Sequence, residues 1–234
     1  MSVTPEQKRV IDSVLSINET GKLPSPATYA TVTVLSDGAG ISYGKHQSTD
    51  GSGSLDAIIF RYIDLGGSLA DQMKPFLDDL KADFSTKVDP HNLPQEVIDL
   101  MDLLAQAGSD PVMQQAQDQI FDENYWTPAV QRCEAMGLTT ALAHLAVYDT
   151  CIHSGPSRVD SLRRNFPEAS PATGGEEHAW VRAFLNARHA WLVSNPNPLV
   201  VKSADRVTAI LKIADSENWD LVTPFLYRFG ITIP

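Results

Sequence analysis

The apolar residues near the N-terminus recur with the period of a helix. Thr4 can cap the start of this helix, Pro5 suits its first position and Gln7 completes a capping box. The apolar face that this period predicts comprises Val10, Ile11, Val14 and Leu15. We expect the helix to stop within 18–21, which places Glu19 at its C-terminal end.

A short β segment follows a loop that contains Pro24 and Pro26. Residues 29–35 are rich in β-branched side chains, which favours a strand. Asp37-Gly38-Ala39-Gly40 has the composition of a turn, and 41–44 can return as a second strand. The pattern predicts a small antiparallel β-hairpin after the first helix.

Helical periodicity dominates the rest of the chain. Ser54 can cap a helix whose end is marked by Gly66-Gly67. Further helices are predicted over 69–82, 94–107, 111–122, 127–136, 138–153, 175–194, 203–216 and 219–228. Loops rich in Pro and Ser are predicted at 85–94, 165–174 and 194–198. The predicted fold class is mainly α (α+β), with a small antiparallel sheet.

A chain of 234 residues, 43% of them hydrophobic, can bury one substantial core. We expect one domain over 1–234, in two lobes. No run approaches the ~20 apolar residues of a membrane span, so none is predicted. The first residues contain no apolar signal core. Either the protein is made in the cytoplasm without a signal peptide, or the sequence begins after a removed one.

The formal net charge of −11 disfavours nucleic acid as a partner and suits a cationic polymer. Cys133 and Cys151 lie in helical patterns with no metal-like spacing. We expect two buried thiols rather than a disulfide. We predict neither a metal nor a cofactor.

Two carboxyl groups on facing elements are what glycoside hydrolysis requires. One gives its proton to the leaving oxygen, and the other activates water or attacks directly. Glu19 ends a helix against a loop, and Asp37 lies at a hairpin turn. Because the chain has 29 acidic residues, this pair alone is a weak signal.

The spacing of these residues is more specific. Asp37 follows Glu19 by eighteen residues and opens a D-G-x-G turn, after which Ser42 supplies a hydroxyl. From Glu19 onward the chain resembles glycoside hydrolase family 46, the inverting chitosanases, and their lysozyme-like relatives. Similar short motifs continue in the same order within about 5–215: Met113-Gln114-Gln115-Ala116-Gln117, Tyr148-Asp149, Gly155-Pro156, Phe184-Leu185-Asn186-Ala187-Arg188 and Asp205-Arg206-Val207.

The resemblance implies a two-lobed, lysozyme-like fold with the β-hairpin beside an active-site cleft. It implies that Glu19 is the general acid, that Asp37 is the general base, and that Ser42 helps to hold the attacking water. The resulting mechanism inverts the anomeric configuration.

The resemblance also implies a buried network of Asp149, Arg188 and Arg206 that reaches the acid. A buried Asp on an apolar helix must be paired, since an unpaired buried charge costs several kcal/mol. Two interpretations stay open, a network coupled to catalysis and a purely structural ion pair between helices.

Four further residues are candidate substrate contacts. Tyr43, His46 and Gln47 follow Ser42 and can line a sugar cleft, although an exposed loop explains them equally well. Ser54 aligns with an Asp that pairs with the substrate ammonium in chitosanases. A serine there suits an N-acetylated polymer, or it only caps a helix.

The residues 43–47 resemble peptidoglycan-cleaving relatives among phage endolysins and type VI secretion effectors. Our first hypothesis is therefore a muramidase (lysozyme activity). We expect it to be a monomer that acts on the cell wall, in the periplasm, after release or injection, with an immunity protein or a delivery partner. The alternative is a chitosanase, and the third hypothesis is a non-catalytic wall-binding module.

Overall fold

The computed structural model describes residues 3–34, 40–77, 89 and 91–234. Helices make up most of it, with two small antiparallel sheets, which confirms the predicted class. The chain divides into two compact units. We call 1–23 with 123–234 the terminal unit, and 24–122 the inserted unit.

The first helix, α1 (Pro5–Thr20), begins and ends where the sequence predicted. The Thr4 hydroxyl accepts from the Gln7 amide at 3.2 Å, and the Gln7 side chain accepts from the Thr4 amide at 2.9 Å. Gly21 ends the helix with φ 72°, a left-handed conformation that favours glycine. Glu19 therefore lies in the last turn.

The inserted unit carries a three-stranded sheet rather than a simple hairpin. β1 (Val32–Val34) pairs with β2 (Ile41–Tyr43), which pairs with β3 (Ser48–Thr49). The first strand begins later than predicted, because Pro26–Ala30 forms a 3₁₀ helix. The turn residues 37–39 lie outside the described residues.

Four α-helices complete the described part of this unit. They are α2 (Ser54–Asp64), α3 (Ala70–Met73), α4 (Gln95–Ala107) and α5 (Pro111–Phe121). Residues 78–82 of the helix predicted over 69–82 lie outside the described residues. Its described part is interrupted, since Lys74–Phe76 is a 3₁₀ helix that contains Pro75. The shared core includes Tyr43, Leu55, Tyr62, Leu100 and Met113.

The terminal unit is built around a buried helix. Its later helices are α6 (Thr127–Met136), α7 (Ala141–Ser154), α8 (Pro156–Arg163), α9 (Glu177–Val193), α10 (Pro198–Lys202) and α11 (Ala204–Asp215). Every residue of α7 from 141 to 151 is buried, so the helix is enclosed on all sides. The short helices α8 and α10, each with a proline in its first turn, were not predicted.

The prediction of a helix over 219–228 is wrong. This segment contains β4 (Phe225–Leu226), which pairs with β5 (Thr232–Ile233) in a two-stranded antiparallel sheet. Leu221 has φ 54°, and Pro224 has no amide hydrogen to donate within a helix. The apolar residues of this segment belong to a hairpin that packs against the rest of the terminal unit.

Cys133 and Cys151 are free and buried, as predicted. Burial raises the pKa of Cys151 to about 12, so its thiol stays protonated at neutral pH. Within the described ranges, no helix is long and apolar enough to cross a bilayer.

Candidate active site

The carboxyl group of Glu19 is held at the end of α1 by an arginine from α11. Arg206 Nη2 donates to Glu19 Oε1 at 2.6 Å. The arginine side chain is almost entirely buried, whereas a third of the glutamate side chain is exposed. Glu19 therefore presents a partly solvent-exposed carboxyl group from a fixed position.

Asp149 lies behind this pair, on α7, and is completely buried. Its Oδ2 accepts from Arg188 Nη1 at 2.6 Å, and its Oδ1 accepts from Arg206 Nη2 at 2.7 Å. Burial by itself raises the pKa of Asp149, but the charges of Arg206 and Arg188 outweigh it and hold that pKa well below its usual range. The carboxylate is therefore ionised at any working pH.

Asp149 thus pairs with both arginines that the resemblance grouped with it, and one of them, Arg206, also pairs with Glu19. The network ties α7, α9 and α11 together, as a structural ion pair would. It also touches the candidate acid, as a network coupled to catalysis would. The same Arg206 nitrogen donates to both carboxylates, so the two interpretations are compatible here.

His153 lies one helical turn after Asp149 and was assigned no role from the sequence. Burial, together with the charges of Arg206 and Arg188, lowers the pKa of His153 to about 4. Its imidazole is consequently neutral near pH 7, and its Nδ1 is 2.8 Å from Ser154 Oγ.

Ser42 and Asp37 belong to the inserted unit. Ser42 lies in the central strand β2, is almost completely buried, and is in register with Thr33 and Thr49. Asp37, the candidate base, lies outside the described residues. Its assignment therefore rests on the motif in the sequence.

The candidate sugar contacts after Ser42 have different environments. Tyr43 is fully buried in the core of the inserted unit, and burial raises its pKa well above its usual range. Its side chain has no surface for a sugar in this structure, which corrects our expectation. The His46 ring stacks on Phe121 with centroids 3.4 Å apart.

Gln47 is held within its own turn rather than in an open loop. Its Nε2 donates to the Gly44 carbonyl at 2.9 Å, and its Oε1 accepts from Thr33 Oγ1 at 3.2 Å. Lys45, next to it, is buried and pairs with Asp118 at 3.2 Å. The turn is thus held by side-chain hydrogen bonds and an ion pair.

Gln117, on α5, fixes this turn and was not singled out as functional from the sequence. Its Oε1 accepts from the Lys45 amide at 3.1 Å, and its Nε2 donates to the Tyr29 carbonyl at 3.0 Å. A Cβ on Gly44 would lie 2.1 Å from Gln117 Oε1, and Gly44 has φ 79°. Only glycine fits there. The motif 113–117 that carried the resemblance contained this residue.

Ser54 does not cap α2 in the predicted way. The capping position is Gly53, which has a left-handed backbone, and Ser54 is the first helical residue. The Ser54 hydroxyl accepts from the Thr49 amide at 3.0 Å and lies 2.8 Å from Ser52 Oγ. The hydroxyl therefore links the start of α2 to the end of β3.

A comparison of the sequence with protein families shows to which family the chain belongs. The model of glycosyl hydrolase family 46 matches residues 13–225. The chain belongs to this family. As a family 46 member the protein is a glycosidase that acts on a polysaccharide, which confirms the enzyme class expected from Glu19 and Asp37.

Two chitosanases are similar in sequence to most of this chain. A chitosanase of Bacillus subtilis (strain 168) is 28% identical over 95% of this chain and 82% of its own length. A chitosanase of a Streptomyces species is 28% identical over 81% of this chain and 68% of its own length.

Solved chitosanase structures have a similar fold. The native chitosanase of Bacillus subtilis MY002 has a TM-score of 0.84 and 26% identity, with all of both chains covered. A family 46 chitosanase from Gynuella sunshinyii, in complex with chitotetraose, has a TM-score of 0.82 and 27% identity, covering 99% of this chain and 98% of the other.

Proposed function

We propose that this family 46 enzyme is a chitosanase that hydrolyses the β-1,4 bonds of the glucosamine polymer chitosan. The observation that carries the proposal is the similarity to chitosanases along almost the entire chain, in sequence and in structure. The net charge of −11 also suits a polymer that carries ammonium groups.

The features that favoured peptidoglycan have local roles in the structure. The Ser54 hydroxyl binds Thr49 and Ser52, so its presence needs no change of substrate. Tyr43 is a core residue, and Lys45 is paired with Asp118. Peptidoglycan bears carboxylates, which an acidic protein repels. A muramidase is therefore the second candidate.

We assign the general acid to Glu19, the general base to Asp37 and the orientation of the attacking water to Ser42. Glu19 gives its proton to the leaving oxygen while Asp37 deprotonates the water. Glu19 then remains as a carboxylate, and Arg206, which donates to its Oε1 at 2.6 Å, stabilises that charge.

The choice of polymer has a direct test. The enzyme should release reducing ends from soluble chitosan and should not lower the turbidity of purified cell wall. Because the attraction is between opposite charges, KM on chitosan should rise with ionic strength. Glu19→Gln serves as the inert control on both polymers.

The opposite pattern, clearing of cell wall without release from chitosan, would establish the muramidase. Tight binding to cell wall with no cleavage of either polymer would support the non-catalytic module.

We also expect hydrolysis with inversion. NMR of the first-formed product should show the α anomer from a β bond, since the water attacks opposite the leaving group. Ser42→Ala should slow turnover less than Asp37→Asn, because the serine only orients the water. A retained anomer, or a covalent glycosyl adduct on Asp37, would contradict this mechanism.

A further inference from the structure

A chain of hydrogen bonds extends beyond the Asp149 network to the C-terminal hairpin. Its central member is Asn18, which directly precedes Glu19 on α1. Asn18 Nδ2 donates to Asp149 Oδ1 at 2.9 Å. On its other side, Asn18 Oδ1 accepts from Tyr227 Oη at 3.1 Å and from Arg228 Nη1 at 2.9 Å.

These partners leave the Asn18 amide a single orientation. Turning it over would place its oxygen against the Asp149 carboxylate and its NH₂ group against two donors. The amide therefore connects an acceptor on one side to donors on the other, which no apolar or purely anionic side chain can do.

The C-terminal segment 227–229 is itself held firmly. Tyr227 is buried, and Arg228 Nη2 donates to Asp205 Oδ2 at 3.0 Å. The Phe229 ring lies 3.9 Å from the position of a Cβ on Gly21, beside the end of α1. The segment thus packs against the helix end that carries Glu19.

Asn18 contacts the carboxylate on which Arg206 rests. Asp149 Oδ1 accepts from Asn18 Nδ2 and from Arg206 Nη2 and Nε, and the same Nη2 donates to Glu19 Oε1. By donating to Oδ1, the Asn18 amide fixes the orientation of the Asp149 carboxylate. Without this donor the carboxylate can rotate and carry the Arg206 guanidinium away from Glu19.

We propose that Asn18 is a positioning residue for the catalytic acid, through which the C-terminal segment 227–229 keeps Arg206 directed at Glu19. The proposal rests on the assigned role of Glu19. It adds a residue that acts through Asp149 and Arg206 rather than by touching the substrate.

The central experiment is Asn18→Asp, measured on whichever polymer the wild-type enzyme cleaves. The variant keeps the size of the side chain but replaces the donor facing Asp149 by an acceptor. We expect kcat to fall by about 10- to 100-fold, as for a small misplacement of a catalytic group, with KM nearly unchanged.

The pH profile separates positioning from a loss of structure. At low pH the introduced carboxyl is protonated and can donate again, so the ratio of variant to wild-type kcat should rise as the pH falls. The charged and titratable groups around this position are Glu19, Asp149, His153, Arg188, Arg206, Asp205, Tyr227 and Arg228. The variant and the wild-type enzyme share all of these groups, so a change in the ratio of their kcat values with pH reports the introduced carboxyl group.

Two further variants keep the test decisive if Asn18→Asp does not fold. Tyr227→Phe removes one donor to Asn18 and keeps the ring, and Arg228→Met removes the other. Arg132→Met is the matched control, because Arg132 also pairs with a half-exposed Asp, Asp160, in the terminal unit. It should retain wild-type kcat.

Lower kcat at constant KM in the Asn18, Tyr227 and Arg228 variants, but not in the Arg132 control, would support the proposal. Wild-type kcat in Tyr227→Phe and Arg228→Met would overturn it, whatever their melting temperatures. Failure of the underlying function would be seen separately, as an active Glu19→Gln variant.

Discussion

Glu19→Gln should abolish measurable turnover while leaving the fold intact. The amide keeps the size of the side chain and can still accept from Arg206 Nη2, but it has no acidic proton for the leaving oxygen. Loss of general acid catalysis typically costs ~10²–10⁴-fold, and more when the leaving group is poor. The measurement is the initial rate of reducing-end release.

Glu6→Gln is a matched control for this variant. Glu6 is on the same helix, in its first turn, and is exposed. It should have wild-type activity, and both variants should have wild-type circular dichroism spectra. Wild-type turnover in Glu19→Gln would remove Glu19 from the mechanism.

Asp149→Asn and Arg206→Ala should each lower both stability and rate. The first variant leaves the buried Arg188 without its carboxylate, and the second leaves Asp149 with only one of its two arginines. Breaking a buried charged pair costs roughly 3–5 kcal/mol. In a chain of this size, that corresponds to a melting temperature lower by roughly 10 °C.

Asp160→Asn provides the comparison for these two variants. It breaks a pair with Arg132 of similar length, 2.9 Å, but at the protein surface. Such pairs contribute about 0–1 kcal/mol. Denaturant titrations should therefore separate the buried pairs from the surface pair, and equal small losses in all three variants would mean that the network is solvated in solution.

Local sequence patterns were sufficient to predict those structural features that depend on residues close together in the chain. The capping box of Thr4 and Gln7, the apolar period and Gly21 define α1, so the position of Glu19 near its end could be predicted. The mainly helical class followed from the same periodicity. The need for Asp149 to be paired followed too, because a carboxylate on a buried helix has to find a partner.

Tertiary structure decided everything that depends on partners distant in sequence. Asn18 and Tyr227 are 209 positions apart, and a polar residue near a helix end has no pattern that names such a partner. The spacing over 219–228 is compatible with a helix, but Pro224 and the pairing of β4 with β5 override it. Tyr43 is a candidate sugar contact because it follows Ser42, and Ser54 because it aligns with a substrate-binding Asp of chitosanases. Burial in the core and a hydrogen bond to Thr49 are contacts that only the assembled unit creates. Periodicity and caps act over one or two helical turns, whereas burial and polar pairing depend on which elements meet in space.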